Sequence, residues 1–210
     1  MSEQELRERI VLQGKSLFDR GLTGGSSGNL SVRLPDGLLV TPTNSCLGRL
    51  DPGRITKLDP DGNILAGDPP SKEAFLHRSM YNARPEAQAI VHLHPTHLVA
   101  VSCLDGLDPA DVLPPITPYY VMRIGRLPLV PYFAPGDDQL AGAVETAARD
   151  AHALLLANHG PVVAGKSLDA AVNATEELEE TAKLFLLLRN ESTRFLNDAQ
   201  VADLNRRFPN

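Results

Sequence analysis

The order of residues predicts an α/β layered domain built on a central, mostly antiparallel mixed sheet flanked by helices. Segments with the apolar spacing of helices alternate with short strand-patterned segments, so the two kinds of element interleave along the chain. Several strands are joined by turns of only a few residues, too short for the crossover that a parallel pair needs. No repeat and no shift of composition interrupts the 210 residues, and a single domain over residues 1–210 is expected.

Leu6, Ile10, Leu17 and Phe18 give a first helix over residues 2–20, which Gly21 ends. The Gly/Ser-rich stretch 24–29 leads straight into the alternating Leu30-Ser31-Val32-Arg33-Leu34, which makes it a shaped loop before a strand. Asp36-Gly37 predicts a hairpin turn into a strand over 38–41. A strand over 54–58 ends at the turn Asp59-Pro60-Asp61-Gly62, and Pro70-Ser71 opens a helix over 72–82. A strand over 89–94 follows. Helices over 95–104 and 137–150 enclose a Pro-punctuated region with a strand near 129–133, and Asp137 and Asp138 are placed to cap the second of these helices. Segments 152–157 and 162–164 read as strands paired around Asn158-His159-Gly160-Pro161. Residues 168–189 carry the strongest helical pattern, and a last helix covers 198–207.

A formal charge of -6 without a basic stripe argues against nucleic acid or an anionic membrane as partner. Cys46 and Cys103 form no CxxC motif, so neither a disulfide framework nor a thiolate zinc knuckle is expected, and a reducing, cytoplasmic compartment is. The first residues lack an apolar signal core, and the strongest apolar run, 184–188, is too short to cross a bilayer.

The chemistry concentrates in histidines. His92 and His94 lie one residue apart on the predicted 89–94 strand, so their side chains share a face while Leu93 points into the core. His159, in the Asn158-His159-Gly160 turn, can complete a trio that leaves a metal ion open to substrate. A lone histidine is more often a hydrogen-bonded core residue, which is the reading given to His77, His97 and His152. Glu73 opens the 72–82 helix, where an acidic side chain is expected to complement the helix dipole. It gains a role as ligand or proton carrier only where that helix end faces the histidines.

Three loops have the composition of an anion cradle: Gly28-Asn29, Thr43-Asn44-Ser45 and Ser71-Lys72. Each alone is an ordinary turn or cap. Beside a metal, the three suggest a small phosphorylated substrate. Tyr119, Tyr120 and Arg123 fall in the Pro-rich segment, where packing or rim positions are the common outcome, although a tyrosine hydroxyl can donate a proton.

Gly28-Asn29-Leu30-Ser31, Thr41-Pro42-Thr43, Ser71-Lys72-Glu73, His92-Leu93-His94-Pro95 and Asn158-His159-Gly160, in that order, resemble the class II aldolase/adducin family across nearly the whole chain. The resemblance implies a three-layer class II aldolase-like domain, a homotetramer, and one Zn2+ per subunit, with other divalent ions chemically suitable. It implies His92, His94 and His159 as metal ligands, with Glu73 as the fourth at rest and as the catalytic acid/base in turnover. Gly28, Asn29, Thr43, Asn44, Ser71 and Lys72 would surround the phosphate of a small phosphorylated sugar-acid substrate. Lys72 stands where the family's sugar-phosphate aldolases commonly carry a second serine. With Thr117-Pro118-Tyr119-Tyr120 it makes the chain look more like the branch that decarboxylates 3-oxo-tetronate 4-phosphates in sugar-acid catabolism. The implied products, reached through a metal-stabilised enediolate, are dihydroxyacetone phosphate and carbon dioxide, with Tyr119 or Tyr120 as a further proton donor. A fuculose-phosphate-type aldolase is the alternative. A non-catalytic adducin-like interaction domain predicts lost metal ligands, whereas all three histidines are present.

Overall fold

The computed structural model describes residues 1–134 and 137–208. Eight strands form one sheet: β1 (Asn29–Leu34), β2 (Gly37–Val40), β3 (Thr56–Leu58), β4 (Ile64–Ala66), β5 (Ala89–His92), β6 (Leu129–Val130), β7 (Ala153–Leu156) and β8 (Pro161–Gly165), in the spatial order β4-β3-β2-β1-β5-β8-β7-β6. All neighbours pair antiparallel except β6 with β7. The mixed, mostly antiparallel sheet inferred from the short turns is therefore what forms.

Among the described residues seven α-helices accompany the sheet: α1 (Glu3–Asp19), α2 (Ala74–Ala83), α3 (Thr96–Ser102), α4 (Pro118–Arg123), α5 (Asp138–Ala148), α6 (Leu168–Leu188) and α7 (Asp198–Arg207). Alternation along the strands sorts them into two layers. Leu30, Val32, Val91, Val163 and Leu155 face one side, where Ile10 and Leu17 of α1, Leu98 of α3, Val121 of α4 and Leu178 of α6 pack on them. Ile90, Val162, Leu154 and Leu156 face the other, under Leu76 and Met80 of α2 and Leu140 and Val144 of α5. All four residues of central β5 are buried, and each large aliphatic side chain among them contributes about 1.5–3 kcal/mol by leaving water.

Local chemistry sets the helix ends. Ser2 and Glu5 form a reciprocal capping box on α1, Asn197 and Gln200 another on α7, and Ser167 accepts the amide of Ala170 at the start of α6. Asp137 caps α5 by accepting from the Gln139 amide. The side chain of Asp138 lies outside the described ones.

The structure departs from expectation at several places, and the strands expected over 54–58 and near 129–133 shorten to Thr56–Leu58 and Leu129–Val130. The predicted 89–94 strand stops at His92, since its partner β8 begins at Pro161, whose missing N–H cannot extend the ladder. β4 is an added edge strand, exposed throughout, whose three residues carry too short a pattern to read. α4 arises inside the Pro-rich segment because Thr117 caps it and Pro118 takes its first position. The 72–82 helix starts two residues late, at Ala74, behind a turn over 72–73. No helix among the described residues is long and apolar enough to cross a membrane.

Candidate metal centre

His92 ends β5 on the α2 side of the sheet and is fully buried. Its Nδ1–H donates to the carbonyl of Pro161 at 2.8 Å, which fixes the tautomer and leaves the Nε2 lone pair toward the cluster. His94 lies two residues further, in the connection to α3, with Leu93 buried in the opposite core as the spacing required. Its Nε2 comes to 3.1 Å from His92 Nε2. The connection is held at its far end by Glu179 of α6, whose carboxylate accepts from the backbone amides of His97 and Leu98 and from the His97 ring at 2.7 Å.

His159 arrives from the β7–β8 turn. Asn158 takes a left-handed conformation (φ 55°), a shape asparagine tolerates better than most residues. The turn is tied to the end of α3: Asn158 N–H donates to the Ser102 carbonyl, and His159 N–H to the Ser102 hydroxyl. Gly160 passes so close to the 92–94 segment that a Cβ there would meet the Leu93 carbonyl oxygen at 2.3 Å. Only glycine lets the two histidine-bearing segments approach this closely.

Glu73 occupies the N-cap position of α2 but makes no cap hydrogen bond. Complementing the helix dipole is therefore not its main role. Its carboxylate turns to the histidines: Oε1 lies 3.2 Å from His159 Nε2, and Oε2 lies 3.4 Å from His92 Nε2 and accepts from Asn29 Nδ2 at 2.8 Å. One donor atom from each of Glu73, His92, His94 and His159 falls within 4.8 Å of the others. The His92–His94 separation of 3.1 Å is close to the edge of about 3.3 Å expected of a tetrahedron with bonds near 2.0–2.1 Å, and Glu73 reaches His92 at 3.4 Å and His159 at 3.2 Å through its two different oxygens. Three imidazoles and a carboxylate are a donor set suited to a divalent ion.

Electrostatics supports readiness for a cation. Burial, followed by the imidazoles of His92 and His159, pushes His94 down to about 4, so it is neutral and able to ligate near pH 7. Burial by itself raises the Glu73 carboxyl, but the close approach of His159 and His92 and the hydrogen bond from Asn29 outweigh it and hold the group well below the usual carboxylate range.

The three anion loops converge. Thr41 N–H donates to the Leu30 carbonyl, Ser71 N–H to the Thr41 carbonyl and Thr43 N–H to the Pro69 carbonyl, so loops 28–30, 41–45 and 69–72 run side by side. Gly28 has φ +80°, and a Cβ there would meet Leu93 at 2.8 Å. Asn44 is also left-handed, at φ 56°. A cavity of about 280 Å3 beside this loop is lined by Thr43, Asn44, Ser45, the carboxylates Asp51 and Asp68, and the cations Arg49 and Arg54, which sequence reasoning passed over. Lys72 is exposed and forms no ion pair with another described residue, while the Ser71 hydroxyl accepts the Glu73 amide at 3.2 Å.

Of the two tyrosines, Tyr120 needs correction. Tyr120 is 1% exposed, packed in the core on the α3–α4–α6 side, and its hydroxyl donates to Asp111 at 3.1 Å. It is a packing residue on the face of the sheet opposite His92, and burial raises its hydroxyl beyond ordinary proton exchange. Tyr119 is 60% exposed, and no hydrogen bond joins it to the histidines.

Behind Glu73 lies a buried polar chain that sequence reasoning missed, having treated His77 as an ordinary surface or core histidine. Asn29 Oδ1 meets His77 Nε2 at 2.5 Å, His77 Nδ1 meets Ser31 Oγ at 2.6 Å, and Ser31 Oγ meets Tyr81 OH at 3.0 Å. The available signals were the four-residue spacing of Glu73, His77 and Tyr81, one stripe of α2, and the two-residue spacing of Asn29 and Ser31, one face of β1.

Residues 8–186 match the model of the Class II Aldolase and Adducin N-terminal domain. The chain belongs to the class II aldolase and adducin family. A class II aldolase family relative from Escherichia coli (strain K12), named 3-oxo-tetronate 4-phosphate decarboxylase, is 53% identical over 203 residues, covering 96% of each chain. The L-fuculose phosphate aldolase of the same strain is 32% identical over 212 residues, 99% of this chain and 96% of that one. The crystal structure of YgbL from Klebsiella pneumoniae superposes with a TM-score of 0.95 at 52% identity, covering 97% of this chain and 99% of the other. The class II aldolase fold and the four-donor cluster thus occur together in one chain.

Proposed function

We propose that this protein decarboxylates a 3-oxo-tetronate 4-phosphate to dihydroxyacetone phosphate and carbon dioxide, as a metal-dependent carbon–carbon lyase of sugar-acid catabolism. The observation that carries the reading is the gap in similarity: 53% identity to the named decarboxylase against 32% to the fuculose phosphate aldolase, at comparable coverage. A zinc ion is the preferred occupant of the Glu73, His92, His94 and His159 donors. When bound, a divalent cation supplies Lewis-acid stabilisation of developing negative charge.

The protein's own groups account for the remaining work. Loops 28–30, 41–45 and 69–72 converge at the end of the sheet where Glu73 and the histidines meet, which suits a short substrate with a phosphate at one end and a reacting carbon at the other. Loss of carbon dioxide leaves the bonding electron pair on C2, conjugated with the C3 ketone as an enediolate. The Glu73 carboxylate, ionised at rest, takes up one proton from solvent and delivers it to C2, which gives dihydroxyacetone phosphate. Gly28, Asn29, Thr43, Asn44, Ser71 and Lys72 are assigned to the substrate's anionic groups. The exposed Lys72 ammonium, without an ion pair among the described residues, is the feature we assign to choosing a carboxylate-bearing substrate. Tyr119, exposed and distant from any cluster hydrogen bond, keeps a proton-donor role only across a boundary between copies in the proposed homotetramer. One domain over residues 1–210 in a cytoplasmic setting completes the reading.

The test offers the metal-loaded protein a 3-oxo-tetronate 4-phosphate and, separately, L-fuculose 1-phosphate. Carbon dioxide with dihydroxyacetone phosphate from the first, and little or no aldehyde from the second, is expected. Aldehyde release from fuculose 1-phosphate as the faster reaction would make the aldolase reading the correct one.

A further inference from the structure

We propose that His77 is the positioning residue for Glu73, acting through Asn29, and that it leaves Glu73 Oε1 as the proton-carrying oxygen; this rests on the lyase reading above. His77 lies in α2, 1% exposed, one helical turn after Glu73. Asn29 is 3% exposed on β1, directly opposite His92 in the ladder.

Donor and acceptor roles along the chain are dictated by its first member. Asn29 Oδ1 can only accept, so the nitrogen 2.5 Å away, His77 Nε2, carries a hydrogen. Burial first, then the neighbouring His92, pushes His77 down to about 3, so the ring is neutral and Nδ1 is a lone pair. Nδ1 accepts from the Ser31 hydroxyl at 2.6 Å, and Ser31 Oγ in turn accepts from Tyr81 OH at 3.0 Å. All hydrogens point one way, toward Asn29 and Glu73.

The consequence falls on the Asn29 amide. With His77 Nε2–H on Oδ1, the Nδ2 group must face Glu73 Oε2, where it donates at 2.8 Å. Rotating the amide by half a turn would set Oδ1 against a carboxylate oxygen and Nδ2 against an N–H, two repulsive contacts, the second of them buried. Without the His77 donor only one of those contacts remains, and the amide orientation loosens. The held Nδ2–H stabilises negative charge on Oε2, so a proton entering or leaving the carboxylate does so at Oε1, the oxygen 3.2 Å from His159.

The test uses the metal-loaded protein and follows exchange of solvent deuterium into dihydroxyacetone phosphate, which reads proton transfer whether the natural leaving group is carbon dioxide or an aldehyde. His77→Leu keeps side-chain volume and removes the donor. It is expected to slow exchange about tenfold or more with KM within about threefold of wild type and the bound metal retained. His77→Gln, whose amide places an N–H near the position of Nε2, is expected to recover exchange to within about threefold of wild type. Ser31→Ala, which removes the hydrogen that Nδ1 accepts, provides a second variant should His77→Leu not fold, with a slowing of about threefold expected. Independently of turnover, the Asn29 side-chain amide should give one protected 15N signal in wild type and His77→Gln and a broadened or exchanging one in His77→Leu. Wild-type exchange in His77→Leu, or in Ser31→Ala where that variant stands in, overturns the proposal. So do equal losses in His77→Leu and His77→Gln, or an unchanged Asn29 signal. A wild-type protein that exchanges deuterium yet releases no carbon dioxide from a 3-oxo-tetronate 4-phosphate refutes the substrate reading alone, and the variants still decide His77.

Discussion

The metal cluster is carried on strand ends and the tight β7–β8 turn, whereas the anion cradle is carried on three neighbouring loops. His92 is locked by a backbone carbonyl, the His159 turn by two hydrogen bonds to Ser102, one from Asn158 and one from His159, and Glu73 by Asn29. Lys72, by contrast, is exposed and without an ion pair among the described residues, and Ser71 is partly occupied with the turn into α2. The four-donor end is thus built in place, and the proposed phosphate end offers donors that a substrate would itself organise. Damage at the first should abolish chemistry; damage at the second should weaken binding by graded amounts.

The largest effect is expected from His94→Ala, which should lose bound divalent metal and lower turnover by about a thousandfold or more, checked by metal analysis alongside kinetics. Full turnover of that variant without metal would dissolve the contrast between the two ends. Glu73→Gln should keep most of the metal, since three imidazoles remain, and lower kcat by about 10²–10⁴. Gly160→Ala comes next: the clash with the Leu93 carbonyl should cost about 1–3 kcal/mol in unfolding experiments and weaken metal retention, whereas Gly142→Ala, with open space around it, should not. At the loop end, Lys72→Ser should raise KM for the phosphorylated acid about three- to tenfold with the metal unchanged. An unchanged KM and kcat would remove Lys72 from substrate selection.

Acid should expose the metal end of the metal-free protein first. The folded-state values of His77 and His94 lie below their ordinary 6.5, at about 3 and about 4, so the unfolded chain binds protons before the folded one as pH falls. Stability is then lost progressively from about pH 6.5 down to about 4 for His94 and about 3 for His77. Glu73, held low when folded, adds a further loss as pH drops below the unfolded carboxylate value of 4.5. Thermal melts from pH 7 to pH 4 should fall steadily in the wild type and less steeply in His94→Ala.

Much of the metal end was legible because strand and turn geometry converts spacing into distance. His92 and His94 share a side with Leu93 opposed, and the Asn158-His159-Gly160 turn lies where the β7–β8 pairing returns it to β5. Glu73 could not be decided, since a first-turn carboxylate looks the same whether it caps a helix or leaves the cap for a ligand cluster. The chain through His77, Ser31 and Tyr81 depends on which face of α2 meets which face of β1, a packing outcome that neither periodicity states alone. Tyr120 shows the reverse error: a polar-tipped aromatic in a Pro-rich segment suggested chemistry, but α4 turns it into the core and Asp111 satisfies its hydroxyl.

The central claim is tested most directly with 3-oxo-tetronate 4-phosphate labelled with 13C at the carboxyl carbon. The account predicts labelled carbon dioxide and unlabelled dihydroxyacetone phosphate in equal amounts from the zinc-loaded wild type, with both products lost together in Glu73→Gln. Release of labelled carbon dioxide at the same rate by wild type and Glu73→Gln, or its absence from the wild type while fuculose 1-phosphate is cleaved, would contradict it.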